Sequence, residues 1–160
     1  MVDAARHIGA MFEGRNGNFV KLNFWGSEKE IEVLATFQFN SNRKRMSVII
    51  KHDGVIKLYC KGADNIILAR LSNDDQPFKE DVMNNLNEFS KKGLRTLCIA
   101  MKVIGQEEYK RIAKEMKIAE ESPDRDNELG MKIKKTLSLL LDFFNPIILF
   151  NIYVIVIKKN

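Results

Sequence analysis

Three short blocks of the sequence carry side chains able to act together on one ligand. They are Phe39-Asn40-Ser41-Asn42-Arg43-Lys44-Arg45-Met46-Ser47-Val48, Lys61-Gly62-Ala63-Asp64 and Gly93-Leu94-Arg95-Thr96-Leu97. Singly, each has an ordinary explanation. Phe39 on a strand is core, the Arg43–Arg45 run is a solvated turn, Lys61-Gly62 is a strand end, and Arg95 is an ion-pair partner. Taken together they suit a ligand with a flat ring at one end and several negative charges at the other. An aromatic face offers a base a stacking platform, worth ~1–3 kcal/mol. A lysine at a strand end, held close by the glycine after it, places a compact positive charge under phosphate. An arginine adds planar charge-assisted hydrogen bonds, about twice as strong as neutral ones. No GxxxxGK[ST] loop and no GxGxxG occurs, which excludes the P-loop and Rossmann routes to phosphate.

The chain has 160 residues, about one domain, and 45% of them are hydrophobic, enough to build a core. Net charge is +5, and it is concentrated. Between Arg43 and Lys61 six basic residues (Arg43, Lys44, Arg45, Lys51, Lys57, Lys61) face one acid, Asp53. A locally basic module on an otherwise balanced chain points to one anionic ligand rather than a long polyanion track, so no nucleic acid is expected. Cys60 and Cys98 stand apart inside apolar runs, and His7 and His52 are the only histidines. No zinc ligand set can be assembled from these, and no metal-ligating or catalytic residue is assigned. Buried free thiols suit a reducing, cytosolic compartment. The amino-terminal segment lacks a charged region followed by an apolar stretch and does not read as a signal peptide.

The expected fold class is α+β, a twisted antiparallel sheet with helices packed on its faces. Val2, Ala5, Ile8, Gly9 and Phe12 recur at helical spacing and predict an opening helix. Phe19–Phe24 alternates as a strand. So does Ile31–Phe39, whose Ile31, Val33, Ala35, Phe37 and Phe39 are expected on one face. Met46–Lys51 and Val55–Tyr59 read as a hairpin about Asp53-Gly54, a strong turn signal because glycine accepts positive φ. Helical spacing follows Gly62 through Leu71. Phe78–Lys91 is a second helix, closed by Gly93 as a carboxy-terminal cap. Leu94–Ile104 reads as a strand. Gln106–Glu120 is a charged helix with Tyr109, Ile112, Ala113 and Met116 inward.

From about Gly130 the character changes, so the expected division is 1–129 as one domain and 130–160 as a divergent apolar tail. Leu137–Ile157 is apolar apart from Asp142, and its length would just span a ~30 Å hydrocarbon core. Asn145, Pro146 and Asn151 interrupt it, and Ile152–Ile157 favours strand. A membrane segment is therefore one reading. Another is read-through of non-coding DNA, since fourteen of the eighteen residues from Phe143 to Asn160 are Phe, Ile, Asn, Lys or Tyr.

The blocks FNSNRKRMSV, LYCKGAD and GLRTLCIA, in this order and at these intervals, resemble the nucleotide-binding domain of P-type ATPases. The match covers roughly residues 1–129. RKRMSV and KGAD are similar to the type IV branch, the phospholipid-transporting ATPases or flippases. The resemblance implies a nucleotide site made by Phe39, which corresponds to the adenine-stacking ring, and Lys61, at the back of the pocket. It further implies Arg95 near the phosphates and Leu97 flooring the ring. Ser41, Arg43 and Lys44 line the first block, and Gly62 allows close approach.

The implied cofactor is ATP, with Mg²⁺ bound mainly through the nucleotide. The family's DKTGT phosphorylation loop and GDGxND-type segment do not occur in the sequence, so the expectation is capture of ATP without cleavage. The implied setting is the cytosolic face of a membrane, as part of an integral membrane pump. The implied partners are a phosphorylation domain, an actuator domain, membrane phospholipid and an accessory subunit. Two other functions remain open: a basic interaction module for nucleic acid or anionic lipid, and a non-catalytic fragment tethered by residues 137–157.

Overall fold

The computed structural model describes residues 2–71, 76–121 and 153–157. A short helix α1 (Val2–His7) leads into strands β1 (Ala10–Asn16), β2 (Phe19–Phe24), β3 (Ser27–Asn40), β4 (Arg45–His52) and β5 (Val55–Gly62). Helices α2 (Asp64–Leu68) and α3 (Gln76–Lys91) then precede β6 (Arg95–Ile104), helix α4 (Gln106–Glu121) and a short strand β7 (Tyr153–Ile157). Every strand pairs antiparallel with its neighbour in sequence, in the order β1 to β7.

Alternation sorts the central strands into two faces. In β4, Arg45, Ser47 and Ile49 are buried; in β5, Ile56, Leu58, Cys60 and Gly62; in β6, Cys98, Ala100, Lys102 and Ile104. These residues form the core with Ile67 and Leu68 of α2, Val82 and Leu86 of α3 and Ile112 of α4. Full burial of one such aliphatic side chain stabilises by about 1.5–3 kcal/mol. The intervening residues, including Met46, Val48, Ile50, Tyr59, Ile99, Met101 and Val103, are half-buried on the opposite face. The sequence predicts helices packed on the faces of the sheet. Instead α2, α3 and α4 share one and none of the three packs on the other, the helix-free face of β4–β6; α1 lies against β1 at the sheet's edge.

Two further expectations change. The opening helix stops at His7 rather than continuing to Phe12, which lies in β1. Gly9, at φ +81°, turns the chain there, and an added Cβ would collide with the Trp25 indole. Pairing with β2 then outweighs the helical spacing of the apolar residues. The single face expected for Ile31–Phe39 is also broken. The β3–β4 register shifts between Val33 and Ala35 and again between Phe37 and Asn40. Each bulge adds one residue and reverses the sides. Val33 therefore pairs with Ile50 on the helix-free side, whereas Ala35 pairs with buried Ile49.

Other local expectations hold. Asp53 and Gly54 both have positive φ, 50° and 75°, as a two-residue hairpin of this twist requires. Gly93, at φ +67°, closes α3: its N–H donates to the Ser90 carbonyl at 2.8 Å and that of Leu94 to the Phe89 carbonyl at 3.0 Å. Cys60 and Cys98 are buried free thiols. No helix among the described residues is long and apolar enough to cross a membrane. Most of the 137–157 candidate, and the boundary near Gly130, lie outside the described residues. Within the tail, Tyr153–Ile157 pairs with Ile99–Arg95, in keeping with its strand composition.

Candidate nucleotide site

The three blocks meet at one end of the sheet. Arg45 pairs with Gly62, and Gly62 with Cys98, so the β3–β4 turn, the end of β5 and the start of β6 are adjacent. Along the row beside them, Met46 pairs with Lys61 and Lys61 with Ile99. Counting back from the Asn40–Arg45 pair brings Phe39 level with Met46. The second bulge of β3 thus turns Phe39 onto the helix-free face, where it is 63% exposed, while Phe37 packs against the core. Two strand spacings separate the Phe39 and Lys61 positions, about 10 Å. Leu97, half-buried, shares this face one diagonal step from Lys61, about 7–8 Å away. Arg95, exposed, lies two residues further toward the same edge.

The turn of residues 41–44 is tightly held. Asn40 Oδ1 accepts the N–H of Asn42 at 2.7 Å and of Arg43 at 3.3 Å, and the Asn40 carbonyl accepts the Lys44 N–H at 2.7 Å. Lys44 is exposed and adopts φ 52°, a conformation that glycine takes more cheaply. Its carbonyl accepts the Ala63 N–H at 3.3 Å, which fastens the turn to the Lys61-Gly62-Ala63 segment. Gly62 is needed for that approach. A Cβ there would fall 2.7 Å from both the Lys44 carbonyl oxygen and Arg45 Cβ.

Not every residue of the first block faces the same way. Arg43 sits with its guanidinium 5.8 Å from the Phe37 ring centre and donates to the Gln38 carbonyl and the Ser47 hydroxyl, each at 3.4 Å. Ser47 belongs to the helix-covered face, so this guanidinium is directed away from Lys61. Arg45 is 4% exposed and donates to the Arg43 carbonyl at 3.2 Å. Two cations of the basic run are thereby withdrawn into the fold. Ser41 is exposed at the tip of the turn. The geometry therefore gathers Phe39, Lys61, Leu97 and Arg95 on one face, with Lys44 at its rim and Gly62 packed beneath.

Asn40 was not singled out from the sequence, although an Asn opening a polar four-residue stretch between strands is a turn signal. No cluster of three or more His, Cys, Asp or Glu side chains able to hold a metal occurs among the described residues. Burial raises both thiols, Cys98 to about 11, and the nearby Asp64 carboxylate adds to its shift. Neither thiol is a nucleophile at neutral pH.

Residues 17–131 match the family profile of the P-type ATPase cytoplasmic domain N. The chain belongs to the P-type ATPases. The relatives of this N domain are phospholipid-transporting ATPases, which places it on the type IV branch. It is 42% identical over 120 residues to phospholipid-transporting ATPase IC of Xenopus tropicalis, covering 74% of this chain and 10% of that protein. The human protein of the same name is 40% identical over 145 residues, 88% of this chain and 12% of its own length. Phospholipid-transporting ATPase DRS2 of Saccharomyces cerevisiae is 44% identical over 112 residues, 68% of this chain and 8% of its own. The N domain thus spans about a tenth of the length of these curated relatives.

Proposed function

We propose that this domain captures ATP on the helix-free face and presents its γ-phosphate to an aspartate on a neighbouring phosphorylation domain. The observation that carries the reading is the convergence of Phe39, Lys61, Leu97 and Arg95 at one end of one sheet face. Phe39 stacks on adenine, with Leu97 flooring the ring. Lys61 and Arg95 offer an ammonium and a guanidinium to the phosphates, and Lys44 adds a third cation at the rim. The donor set fits a nucleotide: an exposed ring, cations two strands away, and a glycine-backed approach in place of a P-loop. Mg²⁺, held by the phosphates themselves, would supply charge neutralisation there. Binding needs little free energy. A millimolar dissociation constant corresponds to ~4 kcal/mol, within reach of one stack of ~1–3 kcal/mol plus cationic contacts after association costs.

In this reading the domain works on the cytosolic face of a membrane, beside phosphorylation and actuator domains and an accessory subunit. Cycles of aspartyl phosphorylation there drive phospholipid across the bilayer. ATP should bind the chain weakly, and Phe39→Ala or Lys61→Ala should abolish binding in calorimetric or fluorescence titrations. The chain alone should form no phosphoenzyme. Unchanged ATP affinity in both variants would refute the assignment, and ATP turnover that depends on this chain's own side chains would refute the presenting role.

A further inference from the structure

We infer that Asn40 is a positioning residue that sets the ammonium of Lys44 relative to the ring of Phe39; the inference rests on the ATP-binding reading above. Three observations meet at this residue. It closes the bulge that turns Phe39 onto the helix-free face, pairing with Arg45 where the β3–β4 register resumes. Its side-chain oxygen and its carbonyl together accept the N–H groups of Asn42, Arg43 and Lys44, so a single residue satisfies three successive donors of the turn. Finally, the turn it organises holds Lys44 at φ 52° and passes the Lys44 carbonyl to the Ala63 N–H, beside Lys61.

A left-handed lysine is the informative feature. Glycine would close the same turn without a steric penalty, so the lysine backbone is held there at a cost. Asn40 offsets that cost locally. The side-chain oxygen performs the Asx-turn function, mimicking a backbone carbonyl. Without it, the Asn42 and Arg43 N–H groups turn to water and the 41–44 segment samples other conformations. Phe39 stays on its strand, and the base platform survives. The Lys44 backbone loses its fixed conformation, and with it the direction in which the side chain leaves the turn. Asn40 therefore acts through Lys44, and its loss should weaken phosphate recognition while sparing the nucleoside.

The test compares ATP with adenosine on the full chain. Asn40→Ala should raise the dissociation constant for ATP about tenfold, the scale of one charge-assisted contact, and change that for adenosine by no more than about twofold. Asn40→Ser, which retains an oxygen acceptor, should recover most of the ATP affinity. Lys44→Gly, which fits the left-handed turn, should reproduce the ATP-selective loss with the thermal midpoint unchanged or raised. Amide exchange provides the arm without ligand: Asn40→Ala should speed exchange at Lys44 and Ala63 but not at Leu58 or Ala100.

Equal losses for ATP and adenosine, an Asn40→Ser variant as weak as Asn40→Ala, or unchanged exchange at Lys44 would overturn the positioning role. Those results leave the ATP-binding reading in place. A wild-type chain that binds neither ligand removes both.

Discussion

The two faces of the sheet are built from alternate residues of the same strands, yet they do different work. On the covered face, Leu58, Cys60, Cys98 and Ala100 meet helices and are 0–2% exposed. On the helix-free face, Lys57, Tyr59, Lys61, Ile99 and Met101 are half-buried by their strand neighbours alone. One face supplies cohesion. The other carries the Phe39 ring, the Lys61 ammonium and the Arg95 guanidinium proposed to receive ATP. A difference of one position in register thus separates the residues that build the core from those proposed to bind.

Neighbouring residues of β5 offer the sharpest contrast. Leu58→Ala should cost about 2–5 kcal/mol because the fully buried site leaves a cavity, while Lys57→Ala should cost less than about 0.5 kcal/mol. Urea denaturation of the two variants checks this, and similar midpoints would erase the distinction between faces. Gly62→Ala probes the seam between them. The added Cβ must displace the Lys44 carbonyl or Arg45 Cβ, so a loss of about 1–3 kcal/mol is expected together with weakened ATP binding. A stable variant with intact ATP binding would show that the close approach is dispensable.

Phe39→Ala should behave in the opposite way to Leu58→Ala. The ring is 63% exposed, so stability should change by no more than about 0.5 kcal/mol while ATP binding is lost. A large loss of stability would place Phe39 in the core.

A further contrast concerns pH. Burial lifts Cys98 from 9.0 to about 11, so the folded state keeps a proton that the unfolded state releases. Its contribution is fully present below pH 9 and is lost as pH rises toward 11. Wild type should therefore lose stability across that window faster than Cys98→Ala, measured by denaturation at each pH. Parallel curves would contradict the burial of the thiol.

Much of this was legible because short-range rules decide it. The Asp53-Gly54 hairpin, the Gly93 cap that delivers Arg95, and the inward Ile112 follow from local backbone chemistry and spacing. The β3 bulges did not follow, because an alternating run carries no mark of the residue that a partner strand skips. That is why Phe39 read as a companion of Phe37, and why Arg43 could not be told from Lys44 as a ligand contact. The extent of α1 was misread for a related reason. Phe12 fits a helical spacing, but its pairing with Leu22 is set by the Gly17-Asn18 turn further along the chain, where Gly17 has φ 56°. The one-sided helix layer is likewise a property of the assembled sheet and of no single helix.

The central claim is that one end of the helix-free face receives ATP. Backbone amide shifts recorded during an ATP titration of the full chain test it most directly. Saturable shifts at Phe39, Lys44, Lys61, Leu97 and their strand neighbours, with little change at Leu86 or Ile112, are the expected result. Shifts centred on the helix-covered face, or none that saturate, would contradict it.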